Sequence, residues 1–351
     1  MKRHFLTAIA LAPLAVACGS APPPEPVEPA PAPAPVVTEA PAPPPAPEPT
    51  EEEKKKAADL KQLEGERAAW QAALEKERAR WTPELRAEAT ALASKDYPTG
   101  KAAITAAMAG KHRKPGNADR DKYRHPLETL ELFGFKPNMT VLDIGPGDGW
   151  YTELLAPALA KKGKYLATNG DPNGPLEVRS TFYAQRFKGF VDTSSEAYGK
   201  VETLLVDSKA PKLDLEGKLD LAMIMRGVHG MVGAGTFGTW LGEIHEALKP
   251  TGVLGIEEHR AAEGADPVAS AKQGYVPEKW LIEQVEAAGF KLKKKSEINA
   301  NPKDTKDYPD GVWDLPPTLR RGDTDKDKYL AIGESDRMTL VFVKAPAAKK
   351  K

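Results

Sequence analysis

Between Ala102 and Ala345, short apolar runs alternate with amphipathic stretches. Thr140 to Ile144 reads as a buried strand, and Lys164–Thr168, Val201–Val206, Leu219–Met225 and Gly252–Glu257 continue the series. Apolar residues recur at helical spacing over Trp150–Lys161, Trp240–Leu248 and Pro277–Ala288. Phe290–Ile298 and Arg337–Lys344 read as a closing pair of strands. Repeated strand–helix alternation predicts an α/β fold with an open, Rossmann-like sheet, mostly parallel, ending in an antiparallel pair. Such sheets bind ligands beyond the carboxyl ends of their strands.

The segment before this pattern differs. Residues 51–97 are rich in Ala, Glu, Lys, Arg, Gln and Leu, all good helix formers. Leu60, Leu63, Trp70, Leu74 and Trp81 form a sparse apolar stripe. Pro83 is placed to open a second helix. The segment predicts a charged helical stalk, which could self-associate as a coiled coil or dock on the domain after it. Tyr97-Pro98-Thr99-Gly100 marks the break to the domain 98–346.

Composition changes the picture at the N-terminus. The chain has 33 prolines, and 14 of them fall between Gly19 and Thr50 among Ala, Val and Glu. This stretch cannot bury a core and predicts an extended tether. At about 3.1 Å per residue it would reach on the order of 100 Å. Lys2 and Arg3 precede an apolar run from Phe5 to Ala17, the pattern of an export signal over residues 1–17. The sole cysteine, Cys18, follows Leu14-Ala15-Val16-Ala17, which resembles the bacterial lipobox. That resemblance implies lipid on Cys18, a membrane anchor and a place in the cell envelope, on the periplasmic side or the outer membrane. Residues 18–50 would then be the leash, and the lysine-rich 347–351 a disordered tail. One cysteine excludes a disulfide within the chain and a zinc site built on several thiolates. Lys and Arg number 50 against 50 Asp and Glu, which excludes a broadly basic nucleic-acid binder.

The main chemical signal is Val141-Leu142-Asp143-Ile144-Gly145-Pro146-Gly147-Asp148-Gly149-Trp150-Tyr151-Thr152. It follows a strand and opens a helix. Glycines let the backbone turn sharply and approach a ligand, and a helix start offers free N–H groups. A nicotinamide fingerprint would need its third glycine at Trp150. The motif instead resembles that of the class I S-adenosylmethionine-dependent methyltransferases, an acidic residue followed by G-x-G-x-G. The resemblance implies that Gly145, Pro146, Gly147, Asp148 and Gly149 pass under the methionine part of the cofactor. Asp143 would orient its ammonium, and Tyr151 would line the site. Asn169 stands where the family places an acid for the ribose, with Asp171 two residues on. Asp207 stands where the family contacts adenine. Leu248-Lys249-Pro250-Thr251-Gly252 resembles the family's turn before the fifth strand. The stretches Asn299–Tyr308, Gly311–Trp313, Leu315–Leu319 and Tyr329–Leu340 resemble a family of exported bacterial predicted methyltransferases, over roughly residues 115–345. Residues 299–336 lie where a tight hairpin would suffice. So long a connection predicts a cover for the site mouth or a wall of the acceptor pocket.

Methyl transfer needs in-line positioning, and an acceptor oxygen or nitrogen can need a base. His229 follows the fourth strand and His259 the fifth, so both are candidate catalytic bases. Arg226 and Glu258 beside them are candidate acceptor contacts. No metal is expected. Asp323-Thr324-Asp325-Lys326-Asp327 with Glu334 has the oxygen spacing of a calcium loop, but Lys328 stands where glycine is needed. The leading expectation is a membrane-anchored methyltransferase with an unidentified acceptor. An exported enzyme also needs a supply of a cofactor made in the cytoplasm. Two other readings are a methyltransferase-like binding module without turnover and a structural envelope protein.

Overall fold

The structure, a computed structural model, describes residues 50–346. The expected signal, Cys18, nearly all of the proline-rich leash and the lysine tail lie outside the described residues. Five helices precede the sheet: α1 (Glu51–Arg80), α2 (Pro83–Ser94), α3 (Gly100–Met108), α4 (Asp121–Arg124) and α5 (Pro126–Phe133). Pro83 opens α2, and Thr82 caps it by accepting from Leu85 N at 3.3 Å. Thr99 caps α3 in the same way at Ala102 N, so the expected break is a helix start.

The alternating part follows as β1 (Thr140–Ile144), α6 (Thr152–Leu159), β2 (Lys164–Asn169), α7 (Arg179–Val191), α8 (Ser195–Tyr198) and β3 (Val201–Leu205). Then come β4 (Leu219–Met225), α9 (Val228–Gly233), α10 (Phe237–Ala247), β5 (Leu248–His259), α11 (Pro267–Lys272) and α12 (Glu278–Ala287). The chain closes with β6 (Phe290–Ser296), α13 (Lys326–Ile332) and β7 (Arg337–Lys344). The sheet order is β3-β2-β1-β4-β5-β7-β6, and β7 is antiparallel to both of its neighbours. This is the expected Rossmann-like sheet with its antiparallel closure.

Side chains alternate across the strands. Leu221, Met223 and Met225 of β4 enter the core under α2, α3 and α6, while Ala222 and Ile224 enter the one under α10 and α12. Burial on both faces is why these strands read as continuous apolar runs. One boundary differs from the expectation. β5 starts at Leu248, and its pairing jumps from Leu219–Leu248 to Leu221–Val253, so residues 249–252 bulge from the ladder. The Lys-Pro-Thr-Gly turn signal is therefore real but lies inside a strand.

Helix α1 docks on the domain. Trp70 meets Phe182 of α7 edge-on, with ring centroids 5.8 Å apart. Arg67 donates to Gln185 and to Leu176 O, and Glu66 pairs with Arg179. Gly189 leaves room for this contact, because a Cβ there would sit 2.8 Å from the Trp70 ring. Among the described residues, no helix is long and apolar enough to cross a membrane.

Three glycines shape the turn after β1. Gly145, Gly147 and Gly149 all have positive φ. A Cβ on Gly149 would lie 2.1 Å from the buried Phe190 ring, whereas one on Gly145 or Gly147 would meet nothing within 4 Å. Gly149 is thus fixed by packing, while the other two leave open space. Gly149→Ala is expected to cost about 2–5 kcal/mol, adding left-handed strain to overpacking. Chemical denaturation of the full chain would check this, and a loss below 1 kcal/mol would contradict it.

Candidate active site at the sheet switch point

The strand order reverses direction between β1 and β4, and the crevice beyond their carboxyl ends holds two adjoining chambers. The larger, about 740 Å³, runs past Gly145, Thr168, Asn169, Phe187, Met231 and Trp240. The smaller, about 360 Å³, is lined by Arg120, Arg124, Tyr151, His229, His259 and Glu334, among others. Gly145, Pro146, Gly147, Asp148, Arg226 and Trp313 border both.

Asp143, the residue before the end of β1, lines the smaller chamber and is 1% exposed. Its Oδ2 accepts from Tyr165 OH at 2.7 Å, while Oδ1 has no partner. Burial pushes its pKa up to about 6, against the hydrogen bond from Tyr165 and the charge of Arg226. Thr168 steadies the turn by accepting from Gly145 N at 2.9 Å. Asp148 is exposed at the rim and pairs with Arg186.

The two residues expected at the ribose and adenine are engaged locally. Asn169 borders the larger chamber, but its Nδ2 donates to Ala184 O at 3.1 Å and its Oδ1 accepts from Gly170 N at 3.0 Å. Asp171 accepts from Asn173 N. Asp207 is exposed and accepts from Lys209 N at 2.9 Å, while its neighbours Val206 and Ser208 line the chamber.

The two histidines converge, with ring centroids 5.7 Å apart. Glu258 is fully buried and orients the His229 ring. Its Oε2 accepts from Val228 N, and its Oε1 from His259 N at 2.9 Å. That leaves it the acceptor toward His229 Nδ1 at 3.0 Å. His229 therefore carries its proton on Nδ1 and keeps the lone pair on Nε2. Burial presses the His229 pKa down, but the adjacent Glu258 carboxylate outweighs it and the net shift is upward. His259 is held well below the ordinary imidazole value by burial and by the charges of His229, Arg337 and Arg226. Its Nδ1 meets Ser335 Oγ at 2.5 Å. His229, Glu258 and His259 offer ligand atoms within 4.8 Å of one another, but the Glu258 oxygens are already taken by N–H donors.

Arg226 has a positive φ at the end of β4, and its Nη1 donates to Glu257 Oε1 at 2.9 Å. Tyr151 OH donates to the other oxygen of Glu257 at 3.1 Å. The 299–336 segment forms the roof. Its turn at Gly311–Asp314 and the prolines that follow place Val312, Trp313, Pro316, Pro317 and Thr318 on the smaller chamber. Trp313 stands edge-on to His229 at 6.0 Å. Glu334, the last position of the calcium-like pattern, instead binds Arg120, Arg124 and Arg337.

The sequence pattern did not point to Glu257, Arg120, Arg124 or Arg337, and it pointed to Glu334 only as part of the calcium-like spacing. Glu257, an acid inside an apolar strand, carried a usable signal. The arginines carried none, because Arg120 and Arg124 meet Glu334 across 214 and 210 positions.

No protein-family model matches the chain, and no curated protein does. Solved structures do match. A SAM-dependent methyltransferase from Aquifex aeolicus is 19% identical with a TM-score of 0.43, the match covering 66% of this chain and 94% of that one. The cyclase SpnF is 17% identical with a TM-score of 0.44, covering 71% and 97%. The glycopeptide N-methyltransferase MtfA, solved with S-adenosyl-L-homocysteine, is 12% identical with a TM-score of 0.40, covering 62% and 86%. At these identities and scores the likeness says nothing about activity.

Proposed function

We propose that this protein transfers a methyl group from S-adenosylmethionine to an acceptor bound in the smaller chamber, as a lipid-anchored protein of the cell envelope. The supporting observation is Asp143 with its unpartnered, buried Oδ1, set beside a turn whose Gly145 and Gly147 leave open space. A buried carboxylate without a partner costs stability unless something cationic completes it, and the resemblance supplies an ammonium there. Gly145 and Gly147 would carry the backbone under the methionine part, and the Val206 and Ser208 backbone would flank the adenine end. The anchor rests on Cys18 and the small residues before it.

When bound, the cofactor supplies a methyl group on a sulfonium leaving group. The smaller chamber holds the acceptor beside the shared border at Gly145–Asp148, Arg226 and Trp313. His229 Nε2 would take the proton of the acceptor oxygen or nitrogen that receives the methyl group. Glu258 keeps the imidazole in that tautomer. Trp313 and the prolines of the roof exclude water.

Titration of S-adenosylmethionine and S-adenosylhomocysteine into the full-length protein tests the cofactor assignment. Micromolar binding is expected, lost at least about tenfold in Asp143→Ala. Asp143→Asn is expected to lose cofactor affinity while raising Tm at neutral pH. An acid whose folded pKa is raised destabilises the fold increasingly as pH climbs from its unfolded value toward about 6. No binding by folded protein would remove the methyltransferase reading. One observation favours a second reading, a binding module without turnover: the Asn169 amide is engaged with backbone and offers the ribose no carboxylate. Cofactor binding with no label transferred to cell-envelope extract would select it.

A further inference from the structure

Four guanidiniums meet at two carboxylates beside the smaller chamber. Arg120 Nε donates to Glu334 Oε1 at 2.7 Å, Arg124 Nε approaches Glu334 Oε2 at 3.2 Å, and Arg337 Nη1 donates to that oxygen at 2.6 Å. One carboxylate therefore serves three cations. Arg226 takes Glu257, and Arg337 Nε also lies 3.3 Å from Glu257 Oε1. Four guanidiniums thus share two carboxylates, Glu334 and Glu257.

Neighbouring acids do not close this gap. Glu258 is taken by His229 and by backbone N–H groups, and Asp121 pairs with Arg113. Asp143 lies toward the cofactor turn, with a raised pKa. Among the described residues of this cluster, Arg120 Nη2 and Arg337 Nε are out of contact with solvent and have no hydrogen-bond partner. Burial lowers the Arg120 pKa against the pull of Glu334, and the like charges of Arg226 and Arg337 lower it further. Arg124 is held over the Trp150 ring at 4.7 Å, so its guanidinium cannot swing away to relieve the crowding. Buried cations in excess of their counter-charges are stable only when an anion joins them. Guanidinium forks match planar oxyanions better than any other side chain does.

We infer that the methyl acceptor carries an anionic oxyacid group, which docks at Arg120 and Arg124 and leaves the reacting atom toward His229. This rests on the methyl-transfer reading and narrows its substrate class. Trp313, Tyr151 and Trp150 also line the chamber. Arg120 and Arg124 then set specificity. They hold the end of the acceptor that does not react, and neutral analogues leave them uncompensated.

The probes are benzoate, phenyl phosphate and the neutral benzyl alcohol, titrated into the full-length protein without cofactor. At least one anion is expected to bind ten or more times tighter than benzyl alcohol. Preference for benzoate would identify a carboxylic acid, and preference for phenyl phosphate a phosphate ester. Arg120→Gln is expected to abolish the preference and Arg120→Lys to restore part of it, with Tm and circular dichroism recording that each variant folds. Should Arg120→Gln fail to fold, the wild type still decides. Its anion preference must shrink as salt rises from 50 to about 500 mM. Anions that bind no tighter than benzyl alcohol, or a preference unchanged in folded Arg120→Gln, would overturn the inference. Cofactor affinity is read in a separate titration of the same preparation. Intact cofactor binding without anion preference sinks this inference alone. Anion preference without cofactor binding sinks the methyl-transfer reading.

Discussion

His229→Ala is expected to lower the rate of methyl transfer by about 10²- to 10⁴-fold while leaving cofactor affinity within about twofold. The imidazole borders the smaller chamber and not the larger one, so its loss removes a proton acceptor without touching the cofactor. His259 cannot simply replace it, because its Nδ1 is bound to Ser335 and its ring is oriented separately. The pH profile is a second readout. A base must be neutral to accept a proton, so the rate should rise as pH climbs through the upshifted His229 pKa. The acid limb therefore lies above the ordinary imidazole value of about 6.5. The same upward shift stabilises the fold below the unfolded pKa and fades as pH rises through the folded one. Glu258→Gln removes the negative charge and should move the limb to lower pH. Label transfer from methyl-labelled cofactor into cell-envelope extract, followed across pH, measures all of this. Wild-type rates in His229→Ala would remove His229 from the chemistry.

Glu257→Ala is expected to cost about 3–5 kcal/mol, the range for removing one partner of a buried ion pair. Tm would fall by roughly 6–20 °C for a domain of this size. Glu257 is fully buried and answers Arg226, Arg337 and Tyr151 together. Without it Arg226 loses its counter-charge, and Arg337 leans wholly on a Glu334 already shared with Arg120 and Arg124. Glu257→Gln keeps acceptor and donor atoms in place and should cost less. Thermal melts of both variants give the comparison. A loss below 1 kcal/mol in Glu257→Ala would mean that water or a relaxed arginine replaces the carboxylate.

Strands β1 and β4 were legible because both of their faces are buried, so they read as apolar runs. The glycine turn was legible because positive φ admits few residue types. The histidines could be found because strand ends place function, and the fold brings them within 5.7 Å ring to ring. Glu258 was found for another role. It was expected at the acceptor, whereas its burial and its N–H donors make it the positioning residue for His229. Asn169 and Asp207 fall at the expected strand ends, but their side chains close local backbone turns, which strand position alone does not reveal. The arginine cluster was not legible. An arginine on a short helix reads as surface, and only the fold brings Glu334 to it.

The docked first helix has a consequence for modularity. Because Trp70 and Glu66 rest on α7, which walls the larger chamber, the stretch from Glu51 belongs to the same compact unit as the sheet. A transplantable folded piece therefore starts at Glu51 and not at the break near Gly100. A cut inside the helix would unbrace one wall of the larger chamber.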